Sequence, residues 1–413
     1  MSVNHRRHFL KSGIGTGIGT YAMLATNAST SRAVNLREKL PVAAVVTVYK
    51  QNSHADVIVG KILEGFRQDG GLGPDLELVS MYVDQRPAND LSRELAKRHG
   101  FRLSASIDDA LTHGTNRLAV SGVLSIGEHG EYGYDPTTNQ HLYPRRKFFD
   151  EIVATFRRVG QSVPVFNDKH LSYRWEDARH MVDTAKEMGF PLLAGSSVPV
   201  AVREPRLELP RDCAVESALA IGYGGLEAYG FHALEGLQCM IERRSGGESG
   251  VASVQAVQGA AMLESRQSRR WSQELLDAAL QTLPASRKRN GDWLKQENSA
   301  VYLMRHRDGL NSAVVMANGA ASDFSVAVKL KDVAQPVATW YKLEDGKPYG
   351  HFALLLRAIE HTIHAKKNAY PVERTLLTTG ILDRAMHSLA AGGAQLETPE
   401  LDIQYRASDW PLA

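Results

Sequence analysis

The run Val42-Ala43-Ala44-Val45-Val46-Thr47-Val48-Tyr49 constrains this chain more than any other segment, because it is uncharged, rich in β-branched residues and does not alternate. A strand with one wet face alternates apolar and polar residues. An unbroken run fits a strand covered on both faces, as in the middle of a parallel sheet. Ser53 with Asp56 three residues on reads as a capping box, opening a helix through Val57, Ile58, Ile62, Leu63 and Phe66. After a Gly/Pro turn at 70–74 comes a strand from Leu76 to Val83, ending at Asp84. A helix over 89–99, a short strand near Phe101, a helix from Ile107 to Leu111 and a strand from Val120 to Ile126 follow. This strand–helix alternation predicts an α/β, Rossmann-like, doubly wound parallel sheet.

Residues 130–144 are polar, unpatterned and read as a long loop. A helix over 146–159, a strand from Val163 to Phe166, a helix over 175–188 and a strand from Leu192 to Ala194 complete the first domain. Beyond Pro199 the texture changes to strand-like runs at 214–223, 251–258, 301–305, 311–317, 324–329 and 336–341. Helical patterns at 226–243, 272–282, 352–364 and 371–389 would cover one face of that sheet, and 284–298 reads as an exposed loop. The expectation is a C-terminal α+β domain with a mainly antiparallel sheet. At 413 residues two domains are the default, and the divisions fall at 1–33, 34–198 and 199–413.

The first of these divisions is a leader. Asn4-His5-Arg6-Arg7-His8-Phe9-Leu10-Lys11 resembles the twin-arginine export signal, and the stretch from Ser12 to Ala25 is only mildly apolar, as that route prefers. Thr26-Asn27-Ala28 or Ser31-Arg32-Ala33 offers a cleavage site. The signal implies the twin-arginine export machinery as a partner and a periplasmic or otherwise extracytoplasmic location, and that route carries folded, often cofactor-loaded cargo. Residues 1–33 hold four basic residues and no acid, so without them the net charge of +2 becomes −2. A nearly neutral mature chain has no electrostatic reason to bind nucleic acid. No run of 18 apolar residues argues for a stable membrane span. Cys213 and Cys239 are the only cysteines; one bridge or two buried free thiols are both open, and neither sits in a CxxC.

Three stations of the mature chain resemble the glucose-fructose oxidoreductase/inositol dehydrogenase (Gfo/Idh/MocA) family. One is the nucleotide half, with Asp84 at the end of its second strand, where such folds hold ribose hydroxyls. Another is Pro164-Val165-Phe166-Asn167-Asp168-Lys169-His170, similar to the family's Glu-Lys-Pro segment, whose lysine stands by the substrate. The last is Gly224 to Glu235, similar to the family's Asp-x-Gly-x-His-x-x-Asp helix, with His232 and Glu235 in place and Ala228 where the first Asp would be. The chain departs most after the first strand, where the family's Gly-x-Gly-x-x-Gly is absent and Val48-Tyr49-Lys50-Gln51-Asn52-Ser53-His54 stands instead.

The resemblance implies oxidation of a sugar or polyol hydroxyl with NAD or NADP. Asn52, Ser53, His54, Asp84, Gly127, Glu128 and His129 would meet the cofactor. Lys169 would act as base or alkoxide-stabilising cation, beside Asp168, with His232 as proton shuttle oriented by Glu235 one turn on. Two other readings stay open. Glu128, His129, His170 and His232 are ligand types that suit a divalent metal such as Zn or Mn, which would make the chain a metal-dependent sugar epimerase, lyase or hydrolase. A non-catalytic sugar-binding protein is the other. Arg145-Arg146-Lys147 reads as an exposed helix start. The family's second sheet commonly forms oligomer contacts, so a homo-oligomer is also an expectation.

Overall fold

The computed structural model describes residues 38–412; the leader expected at 1–33 lies outside the described residues. The first sheet contains β1 (Leu40–Val46), β2 (Leu76–Val83), β3 (Arg102–Ser104), β4 (Gly122–Ile126), β5 (Val165–Asp168) and β6 (Leu192–Gly195). All pairs are parallel and the order is β3-β2-β1-β4-β5-β6. Helices α1 (His54–Glu64), α2 (Ser92–His99), α3 (Ile107–Thr112), α4 (Arg145–Val159) and α5 (Trp175–Met188) supply its crossovers. Val42 to Val46 are fully buried, as a central strand flanked by β2 and β4 must be. Ser53 caps α1, its hydroxyl accepting the Asp56 amide at 3.4 Å.

The second sheet has eight strands. They are β7 (Val202–Glu204), β8 (Val215–Gly222), β9 (Val251–Val257), β10 (Ala300–His306), β11 (Asn311–Met316), β12 (Ser325–Leu330), β13 (Val337–Lys342) and β14 (Leu396–Glu397). The order is β14-β9-β10-β11-β8-β12-β13-β7, antiparallel except for the parallel pair β11/β8. Helices cover both faces, not one. Between the two sheets lie α6 (Ala228–Ile241) and α10 (Val372–Ala390), packed on Ala218, Ala220 and Val254. Against the opposite face, α7 (Ala260–Gln267) and α8 (Gln273–Thr282) pack Met262, Leu275 and Leu276 onto Leu219, Ile221 and Val315. The short α7 had no sequence signal of its own.

After the second sheet the chain returns to the first. Helix α9 (Gly350–Ala365) buries Leu355, Leu356 and Ile359 against α1. Each such side chain contributes about 1.5–3 kcal/mol by leaving water. Cys213 and Cys239 are free thiols; Cys239 is buried and Cys213 half-buried. No helix among the described residues is long and apolar enough to cross a membrane.

Candidate functional site

Strand order reverses between β1 and β4, and in open α/β sheets that switch point opens a crevice at the carboxyl ends of the strands. Thr47 leaves β1 there, Gly127 to His129 leave β4, and Asp168 to His170 end β5. The Thr47 hydroxyl donates to the Glu128 carbonyl at 2.6 Å, fixing one lip of the crevice to the other.

Glu128 is the electrostatic hub. Its Oε1 accepts Lys169 Nζ at 2.9 Å and its Oε2 accepts Arg145 Nη2 at 2.7 Å. All three side chains are buried. Burial alone would raise the Glu128 carboxyl, yet the Lys169 ammonium and Arg145 guanidinium hold it well below the usual carboxylate range. Arg145 Nη1 lies 2.9 Å from His170 Nε2, and that nitrogen is 3.7 Å from Glu227 Oε1. Burial and Arg145 together push the His170 imidazole down, so it stays neutral. Arg145 reaches the hub past Gly127, where a Cβ would come within 2.7 Å of Arg145 Cγ. The expectation of an exposed arginine at the start of α4 is therefore wrong: its side chain is fully buried. No local pattern around 145 signals this, because the room for it is made eighteen positions earlier.

On one flank of the hub stands a second pair. His54 Nδ1 is 2.7 Å from Asp168 Oδ2, with Asp168 buried and His54 partly open. An ionised Asp168 assigns the proton to Nδ1 and leaves Nε2 as an acceptor. The His54 ring meets His129 edge-on at 5.7 Å and Phe352 of α9 at 5.1 Å between centroids. His129 occupies the left-handed region at φ 68°, and burial lowers its pKa to about 4. His232 sits on the first turns of α6, where burial and the Lys169 charge hold it well below its ordinary value. Nε2 of His129 and Nδ1 of His232 have no partner among the described residues.

Other site residues expected from sequence are differently employed. Glu235 does not orient His232: its carboxylate accepts the Ser196 amide at 2.6 Å and the Thr375 hydroxyl at 2.8 Å. The turn that replaces the glycine fingerprint is closed on itself. The Asn52 amide donates to Asp56 Oδ2 at 2.8 Å and the Ser53 amide to the Lys50 carbonyl at 3.0 Å. These amides cannot cradle a pyrophosphate, and the buried Asp56 carboxylate would repel one. Asp84 keeps its place after β2, with Tyr82 and Tyr132 hydroxyls donating to it at 2.9 and 2.7 Å. A cavity of about 510 Å³ beside it is lined by Lys50, Gln85, Arg86 and Asn89. That cavity offers Lys50 and Arg86 as side-chain cations beside the Glu131 carboxylate, and the closed turn offers no backbone cradle for a pyrophosphate.

The divalent-metal alternative finds no support in the geometry. Among the described residues, no three His, Cys, Asp or Glu side chains are arranged to hold a metal ion. Of the proposed ligands, Glu128 already carries two cations and His170 faces a guanidinium.

Glu128, which holds Lys169, and His170 also border a cavity of about 1040 Å³ between the two sheets, walled by the 134–143 loop, residues 225–228 and residues 296–298. No protein-family model matches the sequence, and no curated protein matches it. Solved structures share the fold. GenD2 from gentamicin A biosynthesis, in complex with NAD, matches with a TM-score of 0.56 at 15% identity, covering 89% of this chain and 98% of that one. The apo scyllo-inositol dehydrogenase of Lactobacillus casei gives 0.54 at 10% identity, over 87% and 98%. A myo-inositol dehydrogenase from Corynebacterium glutamicum gives 0.52 at 13%, over 87% and 98%. At these identities the likeness is one of fold.

Proposed function

We propose that the chain is an oxidoreductase that oxidises a hydroxyl of a sugar- or polyol-like substrate, with NAD or NADP as acceptor. One observation carries the reading: a His–Asp pair and a lysine held by a buried carboxylate lie together at the switch point of a fold shared with NAD-complexed and inositol dehydrogenase structures.

The residues divide the work as follows. His54 Nε2 takes the proton of the substrate hydroxyl while Asp168, on Nδ1, holds the tautomer and stabilises the imidazolium that forms. Lys169 Nζ spends one proton on Glu128 and keeps two donors for the developing alkoxide oxygen. Glu128 and Arg145 lock that ammonium in place, so their part is positioning. His232 and His129 stay neutral at physiological pH and serve as hydrogen-bond partners for neighbouring hydroxyls. Asp84 would hold the adenosine ribose, and Lys50 with Arg86 the phosphates. When bound, the nicotinamide supplies the acceptor for the hydride leaving carbon. The leader adds the proposal that this chemistry takes place outside the cytoplasm.

The test is purified mature protein offered NAD or NADP with a panel of sugars and polyols, following nicotinamide absorbance. His54→Ala should lower kcat by about 10²–10⁴-fold, the usual worth of a positioned base. If no nicotinamide is released on denaturation and none is reduced with any polyol, the reading falls.

A further inference from the structure

The cavity behind Glu128 is much larger than one sugar ring needs. Pockets for whole drug-sized ligands run about 300–1000 Å³, and this one is about 1040 Å³. Its loop wall carries a ladder of rings. Tyr143 and His141 stack with centroids 3.9 Å apart at 29°, and His141 and Tyr134 at 4.4 Å and 25°. The ladder begins at the reaction centre, where the Arg145 guanidinium lies 4.9 Å from the Tyr143 centroid. It ends at Tyr134, which is 58% exposed.

The ladder is held rigidly. The His141 amide donates to Glu227 Oε2 at 2.8 Å, and its Nε2 is 3.0 Å from the Tyr132 carbonyl. Asp135 Oδ1 accepts the amides of Thr137 and Thr138, both at 2.9 Å, and Gln140 reaches the Tyr173 carbonyl at 2.7 Å. The exposed residues Gln258, Gln296 and Asn298 also line the cavity. Flat aromatic faces suit the C–H faces of pyranose rings, and side-chain amides suit their hydroxyls. Tyr134 gives one face to His141 and leaves much of its ring open at the cavity.

We infer that the substrate is a glycan or glycoside of two or more units, its reacting unit at the inner end of the cavity, where Glu128 holds Lys169, and a further unit on the face of Tyr134. This rests on the reading that the centre acts on a sugar hydroxyl.

The test uses the full mature protein with cofactor, and as probes glucose, myo-inositol, maltotetraose and cellotetraose, followed by titration calorimetry and by kcat/KM. At least one tetraose should bind about tenfold more tightly than glucose, in line with an aromatic contact beyond simple burial. Tyr134→Ala should erase that gain and leave glucose unchanged, while Tyr134→Phe keeps it. Glucose or inositol binding as tightly as both tetraoses, or Tyr134→Ala leaving the tetraoses untouched, overturns the inference while the function stands. Failure of every sugar to bind or react overturns the functional reading, and this inference with it.

Discussion

Glu235 shows how one buried carboxyl ties the site's surroundings to pH. Burial pushes it up to about 7 against the pull of the Ser196 amide and the Thr375 hydroxyl. A carboxyl raised in the folded state gives stability that is complete below its ordinary value of 4.5 and is lost as pH rises through about 7. Glu235→Gln keeps an acceptor for Ser196 and cannot ionise, so the variant should gain in Tm relative to the native chain as pH rises from about 4.5 to about 7. Parallel Tm curves across that range would show that Glu235 does not titrate there. The neighbouring histidines act in the opposite sense. His129, lowered to about 4, contributes stability present above its ordinary 6.5 and lost as pH falls toward 4.

The loop after β4 and the start of α4 form one unit, because Arg145 can reach Glu128 only across a bare Gly127. Gly127→Ala should destabilise the chain by about 1–3 kcal/mol through overpacking, and should loosen Lys169 enough to lower kcat more than it raises KM. Urea unfolding and steady-state kinetics measure both; an unchanged kcat would detach Arg145 from the reaction. This coupling also marks what could be read in advance. Val42 to Val46 announced a central strand because burial on both faces is written locally, and Ser53 announced α1 because its cap lies within three residues. Asp168, Lys169 and His232 drew notice only through the resemblance of the segments 164–170 and 224–235 to a family's motifs. Arg145 and Asp56 were missed as site-shaping residues, since their partners come from other segments. Glu235 was given to His232 by helical spacing, whereas its partners sit on residues 196 and 375.

From Glu38 onward the chain forms one compact unit, although it holds two sheets. Two ties explain this. Helix α9 leaves the second sheet to pack on α1, and α10 joins α6 through a wholly buried pair, Arg374 to Glu242 at 2.5 and 2.8 Å. Removing either partner of such a pair costs about 3–5 kcal/mol. Thermal unfolding of this unit should therefore be one transition, with calorimetric and van't Hoff enthalpies in agreement. Two resolved calorimetric peaks would show the sheets melting separately. The same return path puts Phe352 against His54, the residue assigned as base. On the ribosome, then, His54 emerges early and waits for a side chain made nearly three hundred residues later. A nascent or prematurely ended chain can carry every strand of the first sheet in its sequence and still lack the ring that His54 packs against, so this corner of the molecule is among the last to be completed.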